Sequence, residues 1–341
     1  MFTKSSLISS AKCSLGSLPL KAHQPKRLLS RSTLRPTSAR QYASVAQSFQ
    51  CYPSQSPDSP TVYSFFERDT FTMQYIVSDP TTKDAALIDT VLDYDPASGT
   101  ISTTTADEIL AFIGKCGLNI KYILETHAHA DHLSAARYYR NKFNVPVGVG
   151  KRISTVQEIF APIYGLESSS FVDAFDLLFQ DDESFQLGAL NCRVIHLGGH
   201  TPDHVGYVIG QSAFTGDSIF QPDVGSARSD FPGGDAKSLY SSMQRLMALP
   251  ESYRLFVGHD YPVDRQPIPV STVGEQLLSN NHIRKGINEF ISFRNSRDLV
   301  LGAPRLLHPS LQTNIRGGKL PPPDGLGRFS FRIPITTTVA L

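Results

Sequence analysis

Six consecutive residues, His127-Ala128-His129-Ala130-Asp131-His132, hold three of the chain's ten histidines and one carboxylate. They follow a compact apolar run at 120–124 that reads as a buried strand, and they precede a segment of helical character at 133–143. A loop at a strand exit is a rigid platform on which alternating side chains converge. Imidazole nitrogen and carboxylate oxygen together suit zinc, iron or manganese. A lone histidine is most often an ordinary polar loop residue, but a cluster at this spacing is a metal-ligand pattern. The chain therefore has to fold so that the end of a strand opens onto a shared site.

Three later residues can complete such a site, and each lies where a strand candidate ends. His200 sits in His196-Leu197-Gly198-Gly199-His200-Thr201-Pro202, after a strand at 190–195. Asp217 sits in Phe214-Thr215-Gly216-Asp217-Ser218, after 213–214, and His259 in Val257-Gly258-His259-Asp260-Tyr261, after 255–257. Layered α/β enzymes gather ligands from several strand ends in this way. The remaining pattern agrees: strands at 73–77, 85–88, 145–149 and 205–209, and helices at 106–115, closed by Gly117, and 236–249. Strands alternating with helices in both halves predict an α/β fold in layers. From Pro267 the pattern changes to helices at 273–278 and 283–294 and a Pro/Gly-rich tail with Pro321-Pro322-Pro323. Residues 266–341 are read as a C-terminal extension packed on the main domain.

Charge divides the chain. Residues 1–42 carry eight Lys/Arg and no acid, and the first acidic residue is Asp58. The segment is rich in Ser and lacks a continuous apolar stretch, which is the composition of an organelle transit peptide rather than a secretory signal. Arg40-Gln41-Tyr42-Ala43-Ser44 resembles a mitochondrial processing site. The expected plan is a mitochondrial transit peptide at 1–42, a Pro/Ser-rich linker at 43–60 and a catalytic domain at 61–265, with the protein in the mitochondrial matrix. Beyond residue 42 there are 24 basic and 31 acidic residues, a net charge of minus seven, which leaves no footprint for nucleic acid. No apolar run reaches the roughly 18 residues of a membrane span. Cys13, Cys51, Cys116 and Cys192 are widely spaced, with no Cys-x-x-Cys, and suggest neither a disulfide framework nor a thiolate metal site. The expected partner is a small molecule; whether two copies form a homodimer is left open.

In order and spacing, His127-Ala128-His129-Ala130-Asp131-His132, Gly199-His200-Thr201-Pro202, Phe214-Thr215-Gly216-Asp217 and Gly258-His259-Asp260 resemble the motif series of the metallo-β-lactamase superfamily. The resemblance runs from about Val62 to Tyr261 and implies an αββα sandwich, here with a C-terminal extension. The stretch Gly225-Ser226-Ala227-Arg228-Ser229-Asp230-Phe231-Pro232-Gly233-Gly234, followed by His259-Asp260-Tyr261, is more narrowly similar to persulfide dioxygenases. Those mitochondrial or bacterial enzymes of sulfide oxidation convert glutathione persulfide with O2 to sulfite and glutathione. The tail Pro309-Ser310-Leu311-Gln312-Thr313-Asn314-Ile315-Arg316-Gly317-Gly318 is similar to an extension on a bacterial β-lactamase-like branch of that group, one the shorter animal-type members lack.

The resemblance implies one Fe(II) per chain, held by His127, His200 and Asp217. Two imidazoles and a carboxylate on one face leave the opposite face open to O2 and the persulfide sulfur. Zinc has no redox chemistry to offer there. His129, Asp131, His132 and His259 then surround those ligands and orient them. The same residues also fit a binuclear zinc hydrolase similar to glyoxalase II. His127, His129, His200 and Asp217 then hold one metal, Asp131, His132, His259 and the shared Asp217 the other, and a bridging water attacks a thioester. A metal-free interaction module is disfavoured, because no ligand position has been lost. Arg228 is the candidate for binding a glutathione carboxylate, since a guanidinium fork matches carboxylate geometry. Tyr261 is the candidate for a catalytic hydroxyl near the metal. His196, His204, His282 and His308 are read as ordinary structural histidines.

Overall fold

The computed structural model describes residues 49–337, so the transit-peptide reading of 1–42 lies outside the described residues. The chain enters through β1 (Phe49–Tyr52), β2 (Thr61–Glu67), β3 (Thr72–Ser78) and β4 (Asp84–Ile88). A hairpin, β5 (Val91–Asp95) and β6 (Thr100–Ser102), leads into helix α1 (Thr104–Cys116) and strand β7 (Asn119–Leu124). Next come β8 (Leu133–Ser134), α2 (Ala136–Phe143), β9 (Val147–Gly150), α3 (Ile153–Tyr164) and β10 (Leu177–Phe179). The second half holds β11 (Ser184–Leu187), β12 (Leu190–His196), β13 (Val205–Ile209), β14 (Ser212–Gly216), α4 (Ala236–Met247) and β15 (Arg254–Val257). It finishes with β16 (Val270–Thr272), α5 (Val273–Ser279), α6 (Ile287–Asp298) and α7 (Leu307–Asn314).

Two sheets result. One has the order β1-β2-β3-β4-β7-β9-β10, and the other runs β11 to β16 in sequence order. β4 with β7, β7 with β9 and β9 with β10 are parallel. Parallel neighbours need a long crossover, and α1, α2 and α3 supply one each. Side chains alternate across a strand, which sorts the core into layers. Met73, Tyr75 and Val77 of β3 meet Val194, Tyr207 and Phe214 between the sheets. Ile76 faces the other way, into a cluster with Ile109 and Ile113 of α1 and Tyr139 of α2. On the far side Ile195 and Val208 pack under Leu239, Met243 and Leu246 of α4 and Phe290 of α6. The order helix, sheet, sheet, helix is the expected αββα sandwich.

Four expectations need correction. The proposed linker 43–60 contains a strand: β1 pairs antiparallel with β2, as in Cys51 opposite Tyr63. Residues 53–60 are also tied down, because the Arg254 guanidinium donates to Pro53 O, Ser59 Oγ and Pro60 O. The main domain does not end at 265, since β16 completes the second sheet against β15. The helix expected at 133–143 starts at Ala136, because Leu133 and Ser134 are taken by pairing with β5. The helix expected at 283–294 runs 287–298, because Gly286 is extended at its N-terminus. Among the described residues no helix is long and apolar enough to cross a membrane.

Candidate metal centre

His127, His129, Asp131 and His132 occupy the loop between β7 and β8, and His200 the loop between β12 and β13. Asp217 directly follows β14, and His259 comes two residues after β15. β7 belongs to one sheet and the others to the second, so the seven side chains meet along one edge of the sandwich. The two sheets are stitched together there: Thr72 bridges to His259, and Met73 N–H donates to Gly258 O at 2.8 Å. A Cβ on Gly258 would lie 2.3 Å from Asp217 Oδ1, so only glycine lets the strand exits approach this closely.

Most of the imidazoles are anchored through one nitrogen and aim the other inward. Thr126 Oγ1 gives its proton to Asp89 at 2.9 Å and so accepts from His127 Nδ1–H at 2.9 Å. His200 Nδ1–H donates to Arg228 O at 2.8 Å, and His259 Nδ1–H to Phe71 O at 3.2 Å. His129 Nε2–H lies between Asp89 and Glu125, at 3.1 and 3.2 Å. These anchors fix tautomer and ring orientation, as outer partners of metal-bound histidines do. They leave His127 Nε2, His129 Nδ1, His132 Nε2, Asp131 Oδ2 and Asp217 Oδ1 buried with no hydrogen-bond partner. Each such atom costs roughly 1–3 kcal/mol if nothing receives it. Five together fit a cation.

Among the described residues the donors form three groups, one of them Asp89, Glu125 and His129. Those of His127, His200 and Asp217 lie within 4.8 Å of one another, as do those of His129, Asp131 and His132. Asp217 Oδ2 is 3.9 Å from His127 Nε2, 3.6 Å from His200 Nε2 and 3.6 Å from His259 Nε2. His259 Nε2 in turn is 3.3 Å from Asp131 Oδ2. Asp217 therefore stands between those two groups. Such separations suit donors gathered about 2.0–2.2 Å from an ion.

Burial, reinforced by the surrounding histidines, keeps His127 well below the usual imidazole range. Burial brings His132 down to about 3. Both imidazoles are neutral at physiological pH. His129 is the exception: although burial disfavours its charge, Asp89 and Glu125 hold it well above the usual range. A metal at its Nδ1 has to displace a proton. Against burial, Asp217 and Asp131 raise His259.

Sequence reasoning missed several residues that build this site. Asp89 accepts from Thr126 N–H and Oγ1–H and from His129, and Glu125 accepts from Ser134 Oγ at 2.6 Å. Asp203 holds the Ala128 N–H at 2.8 Å. His204 is no bystander: its ring lies 4.7 Å from that of His127, and its Nε2 accepts the Asp217 amide at 2.9 Å. Arg228 lines the cavity beside His200 and Asp217. Its guanidinium fork is engaged by Asp230, at 2.5 and 2.6 Å, and by Gly302 O at 2.7 Å. Its carbonyl also orients His200. Tyr261 is 42% exposed, with its ring stacked at 5.8 Å on His259. Burial of its hydroxyl, with Asp217 and Asp131 nearby, holds the phenol well above its usual value, so it remains a proton donor. A cavity of about 620 Å³ opens from Asp131, His200 and Asp217 past Phe71, Phe220 and Tyr261. Its outer wall comes from the extension, through Phe293, Arg297 and Arg305.

The sequence profile of the metallo-beta-lactamase superfamily matches residues 68–259. This chain belongs to that superfamily. It is 45% identical over 278 residues to a Dictyostelium discoideum protein named glyoxylase B2, covering 80% of this chain and 95% of the relative. It is 45% identical over 285 residues to a Xylella fastidiosa beta-lactamase hydrolase-like protein, covering 82% of this chain and 66% of the relative. The chain thus spans just under two thirds of that relative's length. It is 29% identical over 262 residues to the mouse mitochondrial persulfide dioxygenase ETHE1, covering 76% of this chain and 89% of that one. The crystal structure of ETHE1 from Myxococcus xanthus superposes with a TM-score of 0.61 at 26% identity, covering 75% of this chain and 98% of that one. Proteins of this superfamily bind metal, and the orphaned donors make this cluster the chain's candidate metal site.

Proposed function

We propose that this metallo-β-lactamase-fold enzyme is an iron-dependent persulfide dioxygenase of the mitochondrial matrix, oxidising glutathione persulfide with O2 to sulfite and glutathione. The observation that carries the reading is the trio of His127, His200 and Asp217, with donors within 4.8 Å of one another. Two imidazoles and one carboxylate are the ligand set of non-haem Fe(II) oxygenases. His129, which a hydrolase would add to that trio, groups instead with Asp131 and His132. Bound there, Fe(II) supplies the redox capacity that zinc lacks. The chain's own residues orient and shield. Arg228 O and Thr126 Oγ1 fix the inward lone pairs of His200 and His127. Phe71, Phe220 and Tyr261 limit water at the inner end of the cavity, and the protonated Tyr261 hydroxyl is a donor for an anionic sulfur. Arg297 and Arg305 bring positive charge to the outer wall, which suits the carboxylates of a glutathione carrier. Similarity to the proteins named ETHE1 supports the chemistry. The eight basic and no acidic residues of 1–42 support the address.

A second reading, a binuclear zinc thioester hydrolase, is favoured by Asp131, His132 and His259 gathered near the shared Asp217 and by the 45% identity to glyoxylase B2. Metal analysis of anaerobically purified protein, combined with O2 uptake on glutathione persulfide, separates the two. One iron per chain with O2 uptake is the expected result, abolished in His200→Ala along with iron binding. Two zincs with thioester cleavage and no uptake would replace the first reading with the second. Mass spectrometry should find the organellar protein beginning near Ala43; an intact Met1 on cytosolic protein would remove the matrix address.

A further inference from the structure

Residues 309–318, in α7 and the turn after it, are buried without a break. Leu311 and Ile315 pack in one cluster with Ala128 and Ala130, the two alanines between the histidines of the metal loop. Beside them stands Asn314, 4% exposed, and its whole amide is spent on that loop. Nδ2 donates to His129 O at 2.8 Å and to His132 O at 2.7 Å, while Oδ1 accepts from Ser134 N–H at 2.9 Å. The two carbonyls bracket Ala130 and Asp131, so the bonds fix the stretch of main chain from which Asp131 and His132 project. Ser134 continues the connection, since its Oγ donates to Glu125 at 2.6 Å and Glu125 holds His129 Nε2 at 3.2 Å. A polar side chain costs stability when buried unless it is fully paired, and packing alone would be served by an apolar residue. A buried amide with both protons and its oxygen committed to one loop is there for the loop's geometry.

We propose that Asn314 is a positioning residue for the metal centre. The C-terminal extension holds the His129/Asp131/His132 group in place from behind, through its main chain, without contacting an ion. The proposal rests on the cluster being a metal centre and is independent of whether iron or zinc fills it.

A matched pair of variants tests it. Asn314→Asp keeps the shape and the acceptor for Ser134 but sets oxygen against two carbonyls. Gln312→Glu is the control: Gln312 lies on the same helix, equally buried, but its Nε2 donates to His308 O and Arg332 O rather than to the loop. Apo protein is titrated with Co2+ against a competing chelator, reading the visible d–d absorption, and thermal unfolding is recorded alongside. Asn314→Asp should weaken Co2+ binding about ten- to hundredfold and change the band shape, as loss of an outer support of metal ligands does. Gln312→Glu should bind as the parent does, even where its melting point falls equally far. Parental affinity and spectrum in Asn314→Asp overturns the proposal, and so does an equal loss of affinity in both variants. Should Asn314→Asp not fold, hydrogen exchange on the parent decides. Adding Co2+ must slow exchange in 127–134 and 307–318 alike, and slowing confined to 127–134 overturns the coupling. A parent that binds no Co2+ defeats the metal-centre reading itself, which is seen before any variant is compared.

Discussion

His204 is fully buried against His127, and burial keeps it neutral, far below the ordinary imidazole range. That neutrality is what lets Nε2 accept the Asp217 amide while Nδ1 meets Ser218 Oγ at 3.3 Å. His204→Phe preserves bulk but orphans a buried N–H. It should cost about 1–3 kcal/mol in chemical denaturation and weaken metal binding about 10–100-fold in chelator competition; parental values in both would show the bond to be idle. His282 offers a pH test away from the ligands. Burial, helped by Arg294 and Lys285, brings it to about 4, and it sits 3.1 Å from Ser226 Oγ beside Phe293. The unfolded chain takes up this proton near pH 6.5, before the folded one does. The stability His282 contributes is therefore complete above pH 6.5 and is lost as pH falls toward 4. In His282→Gln the melting temperature should fall less steeply over that window than in the parent. An identical slope would mean the ring titrates normally in the fold.

Helix α7 and the Gly317-Gly318 turn behind it are the elements on which the site leans most. Gly317 has φ +61°, and a Cβ there would lie 1.9 Å from Ala174 O, a main-chain atom that cannot swing aside. Gly317→Ala should destabilise the protein by at least about 1–3 kcal/mol from backbone strain alone, read as a lower denaturant midpoint. An unchanged midpoint would mean the turn can rearrange. This element was also among the least legible. Helical periodicity needs a wet face, and every residue from Pro309 to Asn314 is buried, so the pattern that marked α1 and α4 is absent. β1 and β16 escaped notice because each is a short edge strand of three or four residues with little alternation. The central strands at 73–77 and 205–209 were legible because both of their faces are packed and their sequences are mainly apolar, and 120–124 because only Lys121 interrupts its apolar run. The ligands were legible for a different reason: each stands at a strand exit in a recognisable peptide. Asp89, Glu125, His204 and Asn314 carry no such mark. Each is a single polar residue whose role depends on a partner, which for Asn314 lies more than 180 positions away.

The described part of the molecule does not divide at residue 266, where the sequence pattern changes. Residues 266–341 supply the last strand of one sheet, cover the apolar face of α4 with Phe290, and cover Phe160 and Ala128 with Leu311 and Ile315. A fragment ending at residue 265 should therefore lack fixed tertiary packing: near-UV circular dichroism lost, unfolding broad rather than cooperative. A cooperative, native-like 49–265 fragment would restore the extension to the status of an appendage. Asn314 lies 55 positions beyond His259, the last of the candidate ligands. A ribosome making this chain finishes all seven donors well before it makes the amide that steadies three of them. Any ion taken up before residue 314 is made meets a loop that still lacks the three hydrogen bonds of Asn314.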